Sequence, residues 1–182
     1  MTAPPSPRPV DPGAPKMIAY WAMLAIFLVT DIVTKQIAER TLMLHQPRPV
    51  IGDWVQFTLA YNRGAAFSMH VGDASRWVFS IIAIVVLFML WRRLRESQPG
   101  DTWRGAALGM VSAGAVGNLL DRLRSERGVV DFLDIGVGSW RFYTFNVADM
   151  GVTVGAVLLA LSLFAEGRRL KKHEGVGVPP AA

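Results

Sequence analysis

The chain of 182 residues contains no cysteine. That absence removes disulfides, thiol nucleophiles and thiolate-bound zinc together. Histidine is nearly as scarce: His45, His70 and His173 are scattered and share no metal-ligand spacing, so no metal and no cofactor is expected. Charge is thin as well. Charged residues make up 18% of the chain, apolar residues 52%, and the mean hydropathy is +0.32. The net charge of +5 is not gathered into a Lys/Arg stripe interleaved with aromatics, which argues against a nucleic-acid partner. What remains is a mostly apolar chain of one-domain length, with membrane lipid as its expected surroundings.

Residues 1–16 hold six prolines and no apolar period, and they read as a disordered tail. Apolar runs then predict four membrane spans, at about 17–37, 76–93, 103–122 and 147–165. A secretory signal peptide is the competing reading of the first run, but no small-residue cleavage site follows it. Between the first two spans, Trp54 to Tyr61 alternates: Val55, Phe57, Leu59 and Tyr61 against Trp54, Gln56 and Thr58. A period of two predicts a strand. Val129–Leu133 and Trp140–Thr144 read as strands around Gly136-Val137-Gly138-Ser139. The fold class expected is an α-helical integral membrane protein: four transmembrane helices and a small β-sheet at the outer membrane surface. Residues 17–167 form its single domain, and 168–182 a basic, flexible tail. Gly105, Gly109, Ala113 and Gly117 recur every fourth residue, a ridge of small side chains that lets another helix approach closely. Gly114, Asn118 and Arg122 form the neighbouring row.

Four spans put both termini on one side. Lys and Arg barely choose that side, with ten on the terminal side and nine on the other. The dense clusters beside helix ends favour termini inside.

Five of the fourteen acidic residues sit between residues 114 and 149. Polar groups at the ends of membrane helices are costly, roughly 2.5–3.5 kcal/mol each if they sat at the bilayer centre. Without cysteine, a Ser/His pair or a metal set, the chemistry on offer is that of carboxylates. Two carboxylates close together share a proton, so one can take a proton from water while the other donates to a carbonyl oxygen. Asp121, Asp131, Asp134 and Asp149 are the candidates, and spacing alone does not separate them. Asn146-x-x-Asp149 also resembles a helix cap, and Asp121 beside Arg122 could be an ordinary ion pair. Asp31 and Lys35, at i and i+4, face the same way near the end of the first span. Asn62 lies in turn chemistry after the strand. A proton-coupled transporter with a carboxylate relay is the alternative function, although the acids gather at one face and no internal repeat is evident.

Five motifs decide among these readings. They are Asp31-Ile32-Val33-Thr34-Lys35, Asn62-Arg63-Gly64-Ala65-Ala66-Phe67, the run from Gly114 to Arg122 (G-A-x-G-N-L-x-D-R), Val129 to Asp134 (V-V-D-F-x-D), and Phe145 to Asp149 (F-N-x-A-D). In this order they resemble the lipoprotein signal peptidases (signal peptidase II), which are membrane aspartic peptidases. The resemblance implies that Asp131 and Asp149 are catalytic. It places Asn62, Gly114, Asn118, Arg122 and Asn146 around them, with Asp31, Lys35, Asp121 and Asp134 in supporting positions. It implies prolipoprotein substrates bearing a diacylglyceryl-cysteine, cut on the amino side of that cysteine without a metal. The expected location is the bacterial inner membrane, both termini cytoplasmic, the site near the outer face and the enzyme a monomer. A cap and a catalyst are compatible roles for Asp149, since negative charge is favoured at a helix N-terminus.

Overall fold

The computed structural model describes residues 13–64 and 74–174, with side chains through Arg168. Most of the proline-rich tail (1–12), the Ala65-Ala66-Phe67 part of the second motif, and residues 175–182 lie outside the described residues. Four helices and four short strands follow in the order α1 (Ala14–Thr41), β1 (Arg48–Ile51), β2 (Val55–Asn62), α2 (Ser75–Glu96), α3 (Thr102–Arg124), β3 (Val129–Val137), β4 (Trp140–Arg141) and α4 (Val147–Glu174). α1 begins at Ala14, within the stretch assigned to the tail, because Pro15 sits in the first turn, where a missing N–H costs nothing. α4 continues to Glu174, so the basic segment expected to be a flexible tail is helical over its first part.

α1, α2 and residues Val147–Arg168 of α4 are long and apolar enough to cross a membrane. α3 has the length, at 23 residues or about 34 Å, but not the apolarity. It is rich in Gly and Ala and lies in the middle of the bundle. The buried residues of α1 are few (Lys16, Tyr20, Asp31, Lys35, Ala38), whereas α3 buries nine along most of its length. Exposed Ile18, Ile26, Val29, Ile81, Phe88, Leu161 and Phe164 face outward from the other helices. The bundle is therefore inside-out: apolar on its rim, small and polar at its axis.

The ridge of small residues does what its spacing predicts. A Cβ at Gly105 would strike the carbonyl oxygen of Lys16, and one at Gly109 that of Tyr20. α1 and α3 therefore touch backbone to backbone and run parallel. On the adjoining face Gly114 lies against Ala148 and Val152, and Gly155 against Ala107 and Val111, so α4 runs antiparallel to α3.

Both ends of the bundle are tied. At the terminal end, buried Lys16 reaches the carbonyl of Ser97 beyond the end of α2, and Arg104 pairs with Glu166 at 2.7 Å. Trp21 and Trp91 pack there at 6.1 Å between ring centroids. At the other end stands the antiparallel sheet, in the order β1-β2-β3-β4. Asn62 pairs with Val129, Ala60 with Asp131, and Val55 with Ile135. An irregularity in β2 between Phe57 and Ala60 breaks the strict alternation read from the sequence. β3 runs to Val137, past the Leu133 at which the sequence reading ended it, and β4 is only two residues long. β1 was not anticipated. Every residue in it is exposed and it carries Pro49, the marks of an edge strand. Val130, Phe132 and Leu59 pack on Ala38 of α1, which seats the sheet on the bundle.

Candidate active site

Asp149 and Asn146 begin α4 as a reciprocal pair. The Asn146 side-chain oxygen accepts from the Asp149 backbone N–H at 3.0 Å, and the Asp149 carboxylate accepts from the Asn146 backbone N–H at 3.2 Å. This is the capping-box arrangement, which satisfies two helix-end donors at once. The cap read from the sequence is therefore present, and it holds the Asp149 carboxylate at the mouth of the bundle.

Asp131 arrives from β3. Its carboxylate accepts from Asn146 Nδ2 at 2.7 Å and from the Asn62 side chain. Asn146 is wholly buried, and the same Nδ2 also lies 3.1 Å from Asn118 Oδ1 and 3.2 Å from the Val130 carbonyl. Asn118 in turn donates to the other oxygen of Asp149 at 2.9 Å. Two amides thus bridge the two carboxylates. Asp131 is 3% exposed. Burial, and after it the charge of Asp149, push its carboxyl up from 3.8 to about 7, against the hydrogen bonds from Asn146 and Asn62 and the charge of Lys35.

Asp31 and Lys35 form the expected local ion pair, at 2.8 Å, but they do not stop there. Lys35 also pairs with Asp121 at 2.9 Å and donates to Asn118 Oδ1 at 3.0 Å. The ordinary Asp121–Arg122 pair is not formed. Neighbours in a helix point different ways. Arg122 instead donates to the Asn118 carbonyl at 3.1 Å and to the Gly64 carbonyl at 2.9 Å. It also lies over the Phe79 ring. Gly114 contributes by its lack of a side chain: a Cβ there would collide with the Ala148 carbonyl and hold the first turn of α4 away from Asn118.

Asp134 lies apart. It stands three residues after Asp131 on a regular strand, hence on the opposite face. There it accepts from Arg141 Nε at 2.7 Å and Thr58 at 3.1 Å, and it fastens the sheet rather than the site. One contributor went unread. Glu39 pairs with Arg124 at 2.5 Å and with Arg127 at 3.4 Å, and accepts from the Tyr61 hydroxyl at 3.1 Å. It clamps the loop that delivers β3. Its signal was available, since Asp31, Lys35 and Glu39 form one i, i+4, i+8 row. Among the described residues no group of three or more His, Cys, Asp or Glu side chains is placed to hold a metal ion.

Comparison with known proteins gives this geometry a family. The description "Signal peptidase (SPase) II" matches residues 23–165. A lipoprotein signal peptidase of Pseudomonas syringae pv. tomato is 43% identical over 148 residues, 79% of this chain and 85% of the relative. One from Hydrogenovibrio crunogenus is 43% identical over 141 residues, 76% of this chain and 81% of the relative. Two solved bacterial membrane enzymes share the fold. One has TM-score 0.74 and 27% identity, over 90% of this chain and 94% of its own. The other has TM-score 0.71 and 29% identity, over 79% and 91%. The transporter alternative finds no support among these relatives. The matched family description spans most of the chain and the relatives are covered over most of their length, so the chain belongs to the signal peptidase II family.

Proposed function

We propose that this peptidase removes the signal peptide from prolipoproteins by cutting on the amino side of a diacylglyceryl-modified cysteine, with Asp131 and Asp149 as its catalytic pair. The observation that carries the assignment is the bridging of these two carboxylates by the amides of Asn146 and Asn118. The relatives named lipoprotein signal peptidases support the choice of substrate.

The chemistry follows from the pair. Burial raises the Asp131 carboxyl, which suits it to hold the proton that the pair shares. Water attacks the scissile carbonyl carbon as Asp149 takes one of its protons and Asp131 passes its own to the carbonyl oxygen. The resulting gem-diol then collapses. One hydroxyl proton returns to Asp131, the proton on Asp149 goes to the departing nitrogen, and the carbon–nitrogen bond breaks. The products are a carboxyl terminus on the signal peptide and a free amine on the lipidated cysteine, and the pair again holds one proton.

α3 serves as a fourth span in this reading, shielded from lipid by its neighbours. Both termini then lie in the cytoplasm, the sheet rests at the outer face of the inner membrane, and the substrate enters from within the lipid. Arg122, Asn118 and Asn62 orient the peptide. The test is processing of a lipidated precursor by Asp131→Asn and Asp149→Asn variants that still insert and fold. Loss in both is expected, and substantial cleavage by either sinks the assignment.

A further inference from the structure

The buried charges on α1 and α3 are arranged about the backbone that carries the two aspartates. Asp31 accepts from the N–H of Ala148, the residue before Asp149, at 2.8 Å. Asp121 accepts from the N–H of Val130, the residue before Asp131, at 3.2 Å. Lys35 joins the two carboxylates, at 2.8 Å to Asp31 and 2.9 Å to Asp121. All three are at least nine-tenths buried. The third contact of the same ammonium is Asn118 Oδ1 at 3.0 Å. Because Lys35 has only donors, that contact demands the amide oxygen and turns the Asn118 N–H bonds toward Asp149. Gly117 makes room for this: a Cβ there would collide with the Asp31 carboxylate.

We propose that Lys35 is a positioning residue, the bar of a buried Asp31–Lys35–Asp121 caliper whose jaws grip the backbone beside each catalytic aspartate and set their separation. The proposal rests on the reading of Asp131 and Asp149 as the catalytic pair. Neither Lys35 nor its two partners touches substrate in it. The caliper acts on rate because a misplacement of about 1 Å costs on the order of 100-fold in a reaction that depends on alignment. It also acts on protonation. The charged and polar groups that act on Asp131 are Lys35 from α1, Asn62 from β2, Arg122 from α3, and Asn146 and Asp149 at the start of α4, with Asp31 and Asp121 joined to them through Lys35. Of these, the Lys35 charge lowers the Asp131 carboxyl.

The experiment uses full-length enzyme in detergent with a lipidated precursor. It reads kcat and KM across pH, alongside thermal unfolding, for Lys35→Met, Lys35→Arg, Asp121→Asn and Asp131→Asn. Lys35→Met is expected to lower kcat about 100-fold with KM nearly unchanged. Both limbs of its pH profile should move to higher pH, because a cation has been removed. Asp121→Asn keeps an oxygen for Val130 N–H but loses an anion. It is expected to lower kcat about tenfold, with the limbs moving to lower pH. Lys35→Arg should leave the limbs in place and recover only part of kcat, since its planar fork does not fit a site made for a compact ammonium. Opposed pH movements are a result that mere loosening of the fold does not produce. If Lys35→Met does not fold, Lys35→Arg and Asp121→Asn decide. Limbs that stay in place in Lys35→Met or Asp121→Asn, limbs that move the same way in those two, or a Lys35→Met kcat within twofold of the parent overturn the caliper; if Lys35→Met does not fold, moved limbs in Lys35→Arg or unmoved limbs in Asp121→Asn do so. An active Asp131→Asn overturns the catalytic pair instead, whatever the Lys35 variants do.

Discussion

Asp131→Asn should stabilise the enzyme while it abolishes cleavage, and only above a definite pH. The carboxyl is buried beside Asp149 and pushed up from 3.8 to about 7. Between those values the folded protein holds a proton that the unfolded chain has released. The relative stability this contributes is fully present below about pH 4 and is lost as pH rises through about 7. Three pH units at about 1.4 kcal/mol each bound the loss at about 4 kcal/mol. Asparagine has no charge to desolvate, and its amide oxygen can still accept from Asn146. At about pH 4 the variant and the parent should unfold nearly together, because there the carboxyl is largely protonated in the unfolded parent as well as in the folded one. At about pH 8 the variant should unfold several degrees higher. Thermal unfolding in detergent, followed by intrinsic tryptophan fluorescence at both pH values, reads the difference. Equal unfolding temperatures at about pH 8, or an advantage already complete at about pH 4, would refute the reasoning that burial and a neighbouring charge strain this carboxyl.

Other outcomes follow from the same geometry. A precursor whose cysteine is unmodified should remain uncut beside its lipidated twin in a gel-shift assay, since each buried methylene contributes about 0.8 kcal/mol to holding the bond at the depth of the pair. Equal rates on the two precursors count against lipid recognition. Gly109→Leu should fail to assemble or lose about 3 kcal/mol or more in thermal unfolding, because the new side chain meets the Tyr20 carbonyl. A stable, active Gly109→Leu would show that the parallel α1–α3 contact is looser than drawn. Membrane-impermeant labels in intact cells should reach a cysteine placed at Ser139 and not one placed at Arg168; the reverse pattern inverts the topology. Activity should withstand a strong chelator, and loss that is restored by added metal counts against carboxylate chemistry.

The site was legible in the sequence where its contacts are local, and obscure where they are not. The Asn146–Asp149 cap is a three-residue spacing, so it could be read directly, and the ridge from Gly105 to Gly117 pointed to a close helix contact. No spacing rule joins Lys35 to Asn118, 83 residues away, or Asp31 to Ala148, 117 residues away. Those contacts exist because α1 and α3 run parallel with their backbones touching. Asp134 was grouped with Asp131 on sequence proximity, and strand alternation sent it to the other face. β1 escaped because Pro49 interrupts a short exposed run. α3 was read as a span from its apolar run, whereas its apolarity falls short of that of α1, α2 and α4.

The modest apolarity of α3 bears on how the protein is made. α1, α2 and residues Val147–Arg168 of α4 are each long and apolar enough to cross a membrane. α3 is rich in glycine and alanine and carries Asn118, Asp121 and Arg122 near its C-terminal end. Such a segment gains from entering a bilayer chiefly when the α1 groove is already there to receive its backbone and when Lys35 is there to meet Asp121. Biogenesis thus acquires an order. In the proposed four-span arrangement the first two helices would insert on their own merit, and the third would follow as a guest of the first. A nascent chain lacking α1 should leave α3 stranded at the translocon or at the membrane surface, and glycosylation mapping of such truncations would reveal where it stops. On the proposed assignment of the pair, the site would then form only in correctly inserted molecules, and a misinserted copy would carry no stray proteolytic activity.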